Sequence, residues 1–80
     1  MNKLTKIQKE VKEKFLLDSY IATLEMIEKA KWGIEFFQTQ EAKDLHGEEM
    51  AKKEILIHKE ALRIKKVESA FYEALLNKNG

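Results

Sequence analysis

The fold of this chain is decided by residues 48–76, which read EEMAKKEILIHKEALRIKKVESAFYEALL. The stretch contains no glycine and no proline, so nothing in it favours the end of a helix. Four apolar residues recur at seven-residue intervals: Met50, Ile57, Ile64 and Phe71. Five others widen this line: Leu56, Ala61, Val67, Ala74 and Leu75. The spacing predicts one helix, about 40 Å long, that packs along its whole length.

The composition limits what can cover a helix of that length. A chain of 80 residues cannot wrap it, so its partner must be another helix, from the same chain, another copy or another protein. Cysteine is absent, which excludes disulfides and thiolate zinc sites. The chain has no proline and three glycines, too little turn material for a β-rich fold. We therefore expect a single all-α domain over residues 1–80.

The residues before this stretch predict two further helices. Four apolar residues line one face of a first helix over residues 3–17: Leu4, Ile7, Val11 and Phe15. The apolar face then shifts, which predicts a break after Leu17, with Asp18 or Ser19 as the N-cap of a helix over 19–45. A bend at the same place is the alternative. Gly33 lies inside the second helix, as a tolerated glycine that permits close helix approach or as a kink.

The third predicted helix covers residues 48–77. Gly47 suits the left-handed position after a helix end, and a competing turn lies at residues 38–40, with Thr39 as the cap. Two long segments of similar length, each with an apolar stripe, are typical of an antiparallel helical hairpin. The predicted fold is thus a long hairpin plus a short basic N-terminal helix, forming a three-helix bundle or an oligomeric bundle.

Some apolar residues lie off the predicted packing stripes. On the second helix these are Ile21, Trp32 and Phe36, and on the third they are Ile55 and Leu62. The first helix could cover one such patch, but a short helix does not easily cover two. Because aromatic residues are frequent binding anchors, we expect these five residues to contact a protein partner, another copy of the chain, or both.

Charge patterning offers a second hypothesis, binding to nucleic acid. The formal net charge is only +1, but residues 1–17 carry a net charge of +3. Lys6, Lys9 and Lys12 of this segment spiral around the first helix and are the candidate contacts to a phosphate backbone. A single arginine disfavours base readout, and no helix-turn-helix is recognisable. The same basic, amphipathic segment is a weaker candidate for binding a membrane surface.

Catalytic, metal and cofactor sites are not expected. The two serines are not in glycine-flanked turns, and the glycines are too isolated to cradle a phosphate. Neither His46 nor His58 has a glutamate three residues before it, as a di-metal helical bundle requires. The chain also lacks the apolar core of a signal peptide and any apolar run of membrane-spanning length.

These observations predict a small, non-enzymatic, cytoplasmic interaction or regulatory protein that binds a larger protein and self-associates. By analogy, compact lysine-rich helical proteins of this kind serve as accessory regulators of phages and mobile elements. The alternative is a homodimer that contacts nucleic acid through lysines. A structural protein forming higher oligomers is a third class.

Overall fold

Three helices follow one another along the chain: α1 (Lys6–Phe37), α2 (Gln40–His46) and α3 (Glu48–Asn79). The structure is a computed structural model that describes residues 5–79, with the side chains of residues 5–78. Within that range the chain is helical almost throughout, and the predicted all-α fold is confirmed. The two long helices pack against each other, which also confirms the helical hairpin.

The hairpin is antiparallel, as the contacts between its helices show. Gly33 and Phe37 of α1 lie against His58 of α3, whereas Met26 shares a groove with Lys65, further along α3. Each long helix has 32 residues, about 48 Å at 1.5 Å per residue, and the molecule measures 60 × 17 × 16 Å. Gly33 lies opposite His58, and counting outward from this pair along both helices places Lys12 opposite Asn79. Residues 6–11 of α1 therefore extend past the described end of α3.

α1 runs unbroken through the position where a break is predicted. Asp18 and Ser19 lie inside it, so the separate helix over 3–17 and its docking on the hairpin are wrong. The inner face of α1 keeps alternating spacings of four and three residues across this point: Leu16, Tyr20, Thr23, Ile27, Ala30, Ile34 and Phe37. The Thr23 hydroxyl donates a hydrogen bond to the Ser19 carbonyl at 2.8 Å. The predicted apolar face of residues 3–17 requires no change of helix direction, because Ile7, Val11 and Phe15 remain exposed; Leu4 lies outside the described residues.

Both predicted turn signals are used, one at each end of α2. Thr39 is the N-cap of α2, and its hydroxyl oxygen accepts a hydrogen bond from the Ala42 amide at 3.2 Å. Gly47 has φ = 86°, the left-handed conformation that favours glycine. The prediction of one helix over 19–45 is therefore wrong. The competing turn capped by Thr39 is present, but it does not replace the turn at Gly47 or lengthen the last helix, which begins at Glu48. A short helix fills the connection between the two long ones.

Gly33 allows the two long helices to approach closely. A Cβ atom at this position would overlap with the His58 ring, 2.5 Å from Nε2 and 3.0 Å from Cγ. The ring is held in place because its Nδ1–H donates a hydrogen bond to the Glu54 carbonyl oxygen at 2.6 Å, and that oxygen can only act as an acceptor. α1 continues through Gly33 without interruption, and the predicted close approach is confirmed.

The hairpin buries few large side chains. Its buried apolar residues are Leu16, Ile27, Ala30, Ala42 and Ala51. Among the described residues, no large side chain is fully buried. Within residues 5–79, none of the helices combines the length and the apolar character needed to cross a lipid bilayer.

Candidate interaction surfaces

The chain exposes much more apolar surface than a folded monomer of its size usually does. Fifteen large hydrophobic side chains are exposed among the described residues. The accessible surface is 6542 Å², whereas a compact monomer of 9.4 kDa is expected to have about 5,000 Å². The surplus is about 1,500 Å², and it arises because two helices side by side cover only one face of each other.

An aromatic cluster occupies the end of the hairpin that carries α2. The rings of Trp32 and Phe36 stack with centroids 5.2 Å apart and planes 5° from parallel. Phe36 also meets Phe37 edge-on at 5.1 Å, and Phe37 lies 5.5 Å from His46. Phe36 is thereby half-buried, while Trp32 remains 65% exposed at the outer edge of the cluster. A rigidly held, exposed indole is suited to insertion into a pocket of a partner.

Ile21 does not join this aromatic cluster. It lies eleven residues before Trp32 on the same helix, about 16 Å along the axis. Its neighbours at helical spacing are instead Leu17 and Leu24, and all three are exposed. The predicted Ile21–Trp32–Phe36 surface is therefore two surfaces, an aromatic one near α2 and an aliphatic one in the middle of α1.

On α3, the face that was predicted to be free packs against α1, and the face that was predicted to pack is exposed. Ile55 and Leu62, predicted to lie off the packing face, are half-buried on the side that faces α1. The inner face of α3 consists of Ala51, Ile55, His58, Leu62, Lys65, Ser69, Tyr72 and Leu76. The predicted packing line, which we call the outer stripe, is Met50, Ile57, Ile64 and Phe71. Its side chains are 42–61% exposed, so the expectation that this line packs within the chain is wrong.

The more polar face of α3 packs against α1 because α1 carries small residues at the contact. Thr23, Ala30 and Gly33 give α1 a low surface, which leaves room for the imidazole of His58 and the long side chain of Lys65. Both of these side chains have partners for their polar groups at the edge of the interface. Lys65 Nζ lies 3.1 Å from the Glu68 carboxylate, and His58 Nδ1 lies 2.6 Å from the Glu54 carbonyl oxygen. Hydrophobicity alone predicts that the other face of α3 packs against α1. The small residues of α1 are the signal that this prediction did not use.

A groove lies between the two helices on one side of the hairpin. Its volume is about 230 Å³, and it is lined by Met26, Lys29, Ala30, His58, Ala61 and Lys65. Ala61 is four residues after Ile57 and three before Ile64, so the outer stripe runs along the rim of the groove. The groove and the outer stripe therefore form one continuous apolar surface.

The histidines are arranged as packing residues. His58 contacts Gly33 and Phe37, and its closest carboxylate oxygen is that of Glu54, at 3.8 Å from Nδ1. His46 lies against Phe37 on the other side, at 5.5 Å. No three His, Cys, Asp or Glu side chains within the described part of the chain are grouped as a metal ion would require.

Basic side chains occupy two exposed regions. Lys6 and Lys9 lie on the first turns of α1, which extend beyond the described end of α3, and Lys12 follows them opposite Asn79. A second basic row, Lys59, Arg63 and Lys66, is formed on α3 by residues four and three apart, all exposed. The position of the inner face places these three residues together on one exposed face of α3.

One surface ion pair interrupts this second row. The Arg63 guanidinium donates a hydrogen bond to the Glu60 carboxylate at 2.5 Å. This hydrogen bond, reinforced by the charge of Arg63, holds the pKa of Glu60 below its usual value and raises that of Arg63. Because both groups are in water, the pair contributes little to stability.

Comparisons with protein-family models, with curated proteins and with solved structures found no match to this chain.

Proposed function

We propose that the chain is a small, non-enzymatic interaction protein, which binds a larger protein through its aromatic end and also self-associates. The observation that supports this proposal best is the balance of apolar residues. Among the described residues, fifteen large hydrophobic side chains are exposed, against a core of five buried apolar residues. A surface of this kind is typical of proteins that complete their apolar contacts with another macromolecule.

Trp32 is the residue on which we place the contact with the larger protein. The stack with Phe36 orders its ring before binding, so little conformational entropy is lost when a pocket closes around it. With 65% of the residue exposed, burial removes on the order of 100 Å² of apolar surface from water, about 3 kcal/mol. That is enough to make Trp32 the main anchor of an interface.

A photocrosslinker at Trp32 tests this assignment. The substitution Trp32→p-benzoylphenylalanine keeps an aromatic ring at the site, and the same substitution at Lys59 serves as the control on an exposed, charged face. We expect irradiation in cells to give, from position 32 only, an adduct whose mass differs from any multiple of 9.4 kDa. Equal yields from both positions, or adducts of the chain with itself alone, would contradict the assignment.

Nucleic-acid binding is a second candidate, and the position of the N-terminal lysines favours it. Lys6 and Lys9 lie on turns of α1 that no other described helix contacts, and Lys12 lies where α3 ends, so a phosphate backbone could reach the first two from several sides. Binding through these groups would weaken steeply with salt, and Lys9→Glu would weaken it further. Binding through Trp32 would be much less sensitive to salt, so a titration from 50 to about 200 mM salt separates the two candidates.

A further inference from the structure

We propose that the outer stripe of α3 is the contact surface for a second copy of this chain, packed antiparallel to the first. Two hairpins then form a four-helix bundle, with the α3 helices in contact at its centre. The inference rests on the part of the proposed function in which the chain self-associates. It is independent of the contact that Trp32 makes with a different protein.

The spacing of the outer stripe indicates a helical occupant. Met50, Ile57, Ile64 and Phe71 repeat every seven residues, and this period keeps a line of side chains in contact with a neighbouring helix over several turns. The stripe extends over 21 residues, about 31 Å, which is most of the length of α3. Binding to a compact pocket on a globular partner would not require so long and regular a line of apolar residues.

The charges beside the stripe favour a second copy in the antiparallel direction. If Ile57 lies opposite the partner's Ile64, the two-fold axis passes between residues 60 and 61. Lys53 then faces the partner's Glu68, and this favourable pair occurs twice because of the symmetry. A parallel arrangement would instead place Lys53 against the partner's Lys53, which is repulsive, whereas the two copies of Glu60 lie close together in either arrangement.

The available area is sufficient for a stable dimer. At 42–61% exposure, each residue of the stripe leaves on the order of 100 Å² for burial. The stripe and the neighbouring Val67, which is 64% exposed, together supply roughly 1,000 Å² from two copies, before the groove and flanking charges are counted. Stable interfaces bury about 1,200 Å² or more in total, and the surplus surface of the chain is large enough to provide it.

Solution mass tests the proposal directly. We expect light scattering of the full chain, over a concentration series, to give twice 9.4 kDa. Ile57→Glu should raise the dimer dissociation constant at least 100-fold, because it places a carboxylate in the interface of each copy. Ala70→Glu is the matched control: Ala70 is exposed and lies about 140° from Ile57 around the helix, so its substitution should leave the mass unchanged.

A cysteine experiment keeps the test valid if Ile57→Glu prevents folding. The chain has no native cysteine, so a single introduced thiol has only its copy to pair with. Glu60→Cys, beside the two-fold axis, should form a disulfide-linked dimer under mild oxidation, whereas Met50→Cys, far from the axis, should not. Preferential cross-linking of Met50→Cys would establish the parallel arrangement and overturn the proposal.

The remaining outcomes separate this inference from the proposed function. A dimer that Ile57→Glu does not weaken, or that Ala70→Glu dissociates equally, overturns the outer stripe as the interface but leaves self-association standing. A monomer at all concentrations overturns both the interface and self-association. Neither result affects the crosslinking test at Trp32, which concerns a partner of different mass.

Discussion

Gly33→Ala should destabilise the protein, although the same change usually stabilises a helix. In an exposed helix interior, alanine is favoured over glycine by about 1 kcal/mol. Here the new methyl group would overlap with the His58 ring, and that ring cannot move away without losing its hydrogen bond to the Glu54 carbonyl. Overpacking of this kind costs about 1–3 kcal/mol, and the lost hydrogen bond adds about 1 kcal/mol.

The three contributions combine to a net loss of about 1–3 kcal/mol, equivalent to a fall in Tm of roughly 5–20 °C for a domain of this size. Thermal unfolding followed by circular dichroism at 222 nm measures it. All variants are compared at one protein concentration, because self-association would make Tm depend on concentration.

The double variant with His58→Ala is the control, since it removes the ring that the methyl group would meet. In that background Gly33→Ala should become stabilising by about 0.5–1 kcal/mol, the ordinary helix-propensity gain. The sign of the effect therefore reverses between the two backgrounds. If Gly33→Ala raises Tm in the presence of His58, the close contact does not govern helix packing at this site and the reasoning fails.

Three other substitutions give simpler expectations for the same unfolding assay. Thr39→Ala removes the acceptor of the Ala42 amide at the start of α2, and we expect it to cost about 1 kcal/mol, with Thr39→Ser largely retaining stability. Gly47→Ala should cost about 1–3 kcal/mol, because a Cβ there meets nothing within 4 Å but φ 86° with ψ 150° is a backbone conformation essentially confined to glycine; Gly47→Asn should cost a similar amount. Glu60→Gln should lower Tm slightly at neutral pH and not at all in strong acid. The lowered pKa of Glu60 beside Arg63 stabilises the fold above the ordinary pKa near 4.5, and that contribution is lost as the pH falls through the lowered value. An equal effect of this last change at both pH values would exclude the ion pair as its cause.

The hairpin and its turn signals could be predicted because they depend on local chemistry. Gly47 adopts the left-handed conformation expected after a helix end, and Thr39 caps a helix as its hydroxyl allows. Both effects act within a few residues of the position concerned, so the amino-acid sequence contains the whole of the relevant information. The absence of proline likewise predicts long helices, and two helices of 32 residues are found.

The face of α3 that packs against α1 could not be predicted from the sequence of α3 alone. Outward and inward lines on α3 both repeat every seven residues, and Ile57 and Ile64 make the outward line the more apolar. What selects the inward line is the space that Ala30 and Gly33 leave on α1, which is a property of the pair of helices. The predicted break at Asp18 failed for a related reason: an apolar face that nothing covers does not make the helix turn.

The first turns of α1, residues 6–11, have a consequence for how this protein tolerates change. No described helix packs against them, so their helicity depends on intrinsic propensity and on the capping box that joins Thr5 and Gln8. Their amide protons should exchange with solvent orders of magnitude faster than those around Thr23, where α1 and α3 are packed together. Substitutions in this segment are therefore nearly without cost to the hairpin. It is the part of the molecule where new charges or contacts can accumulate while the fold stays the same.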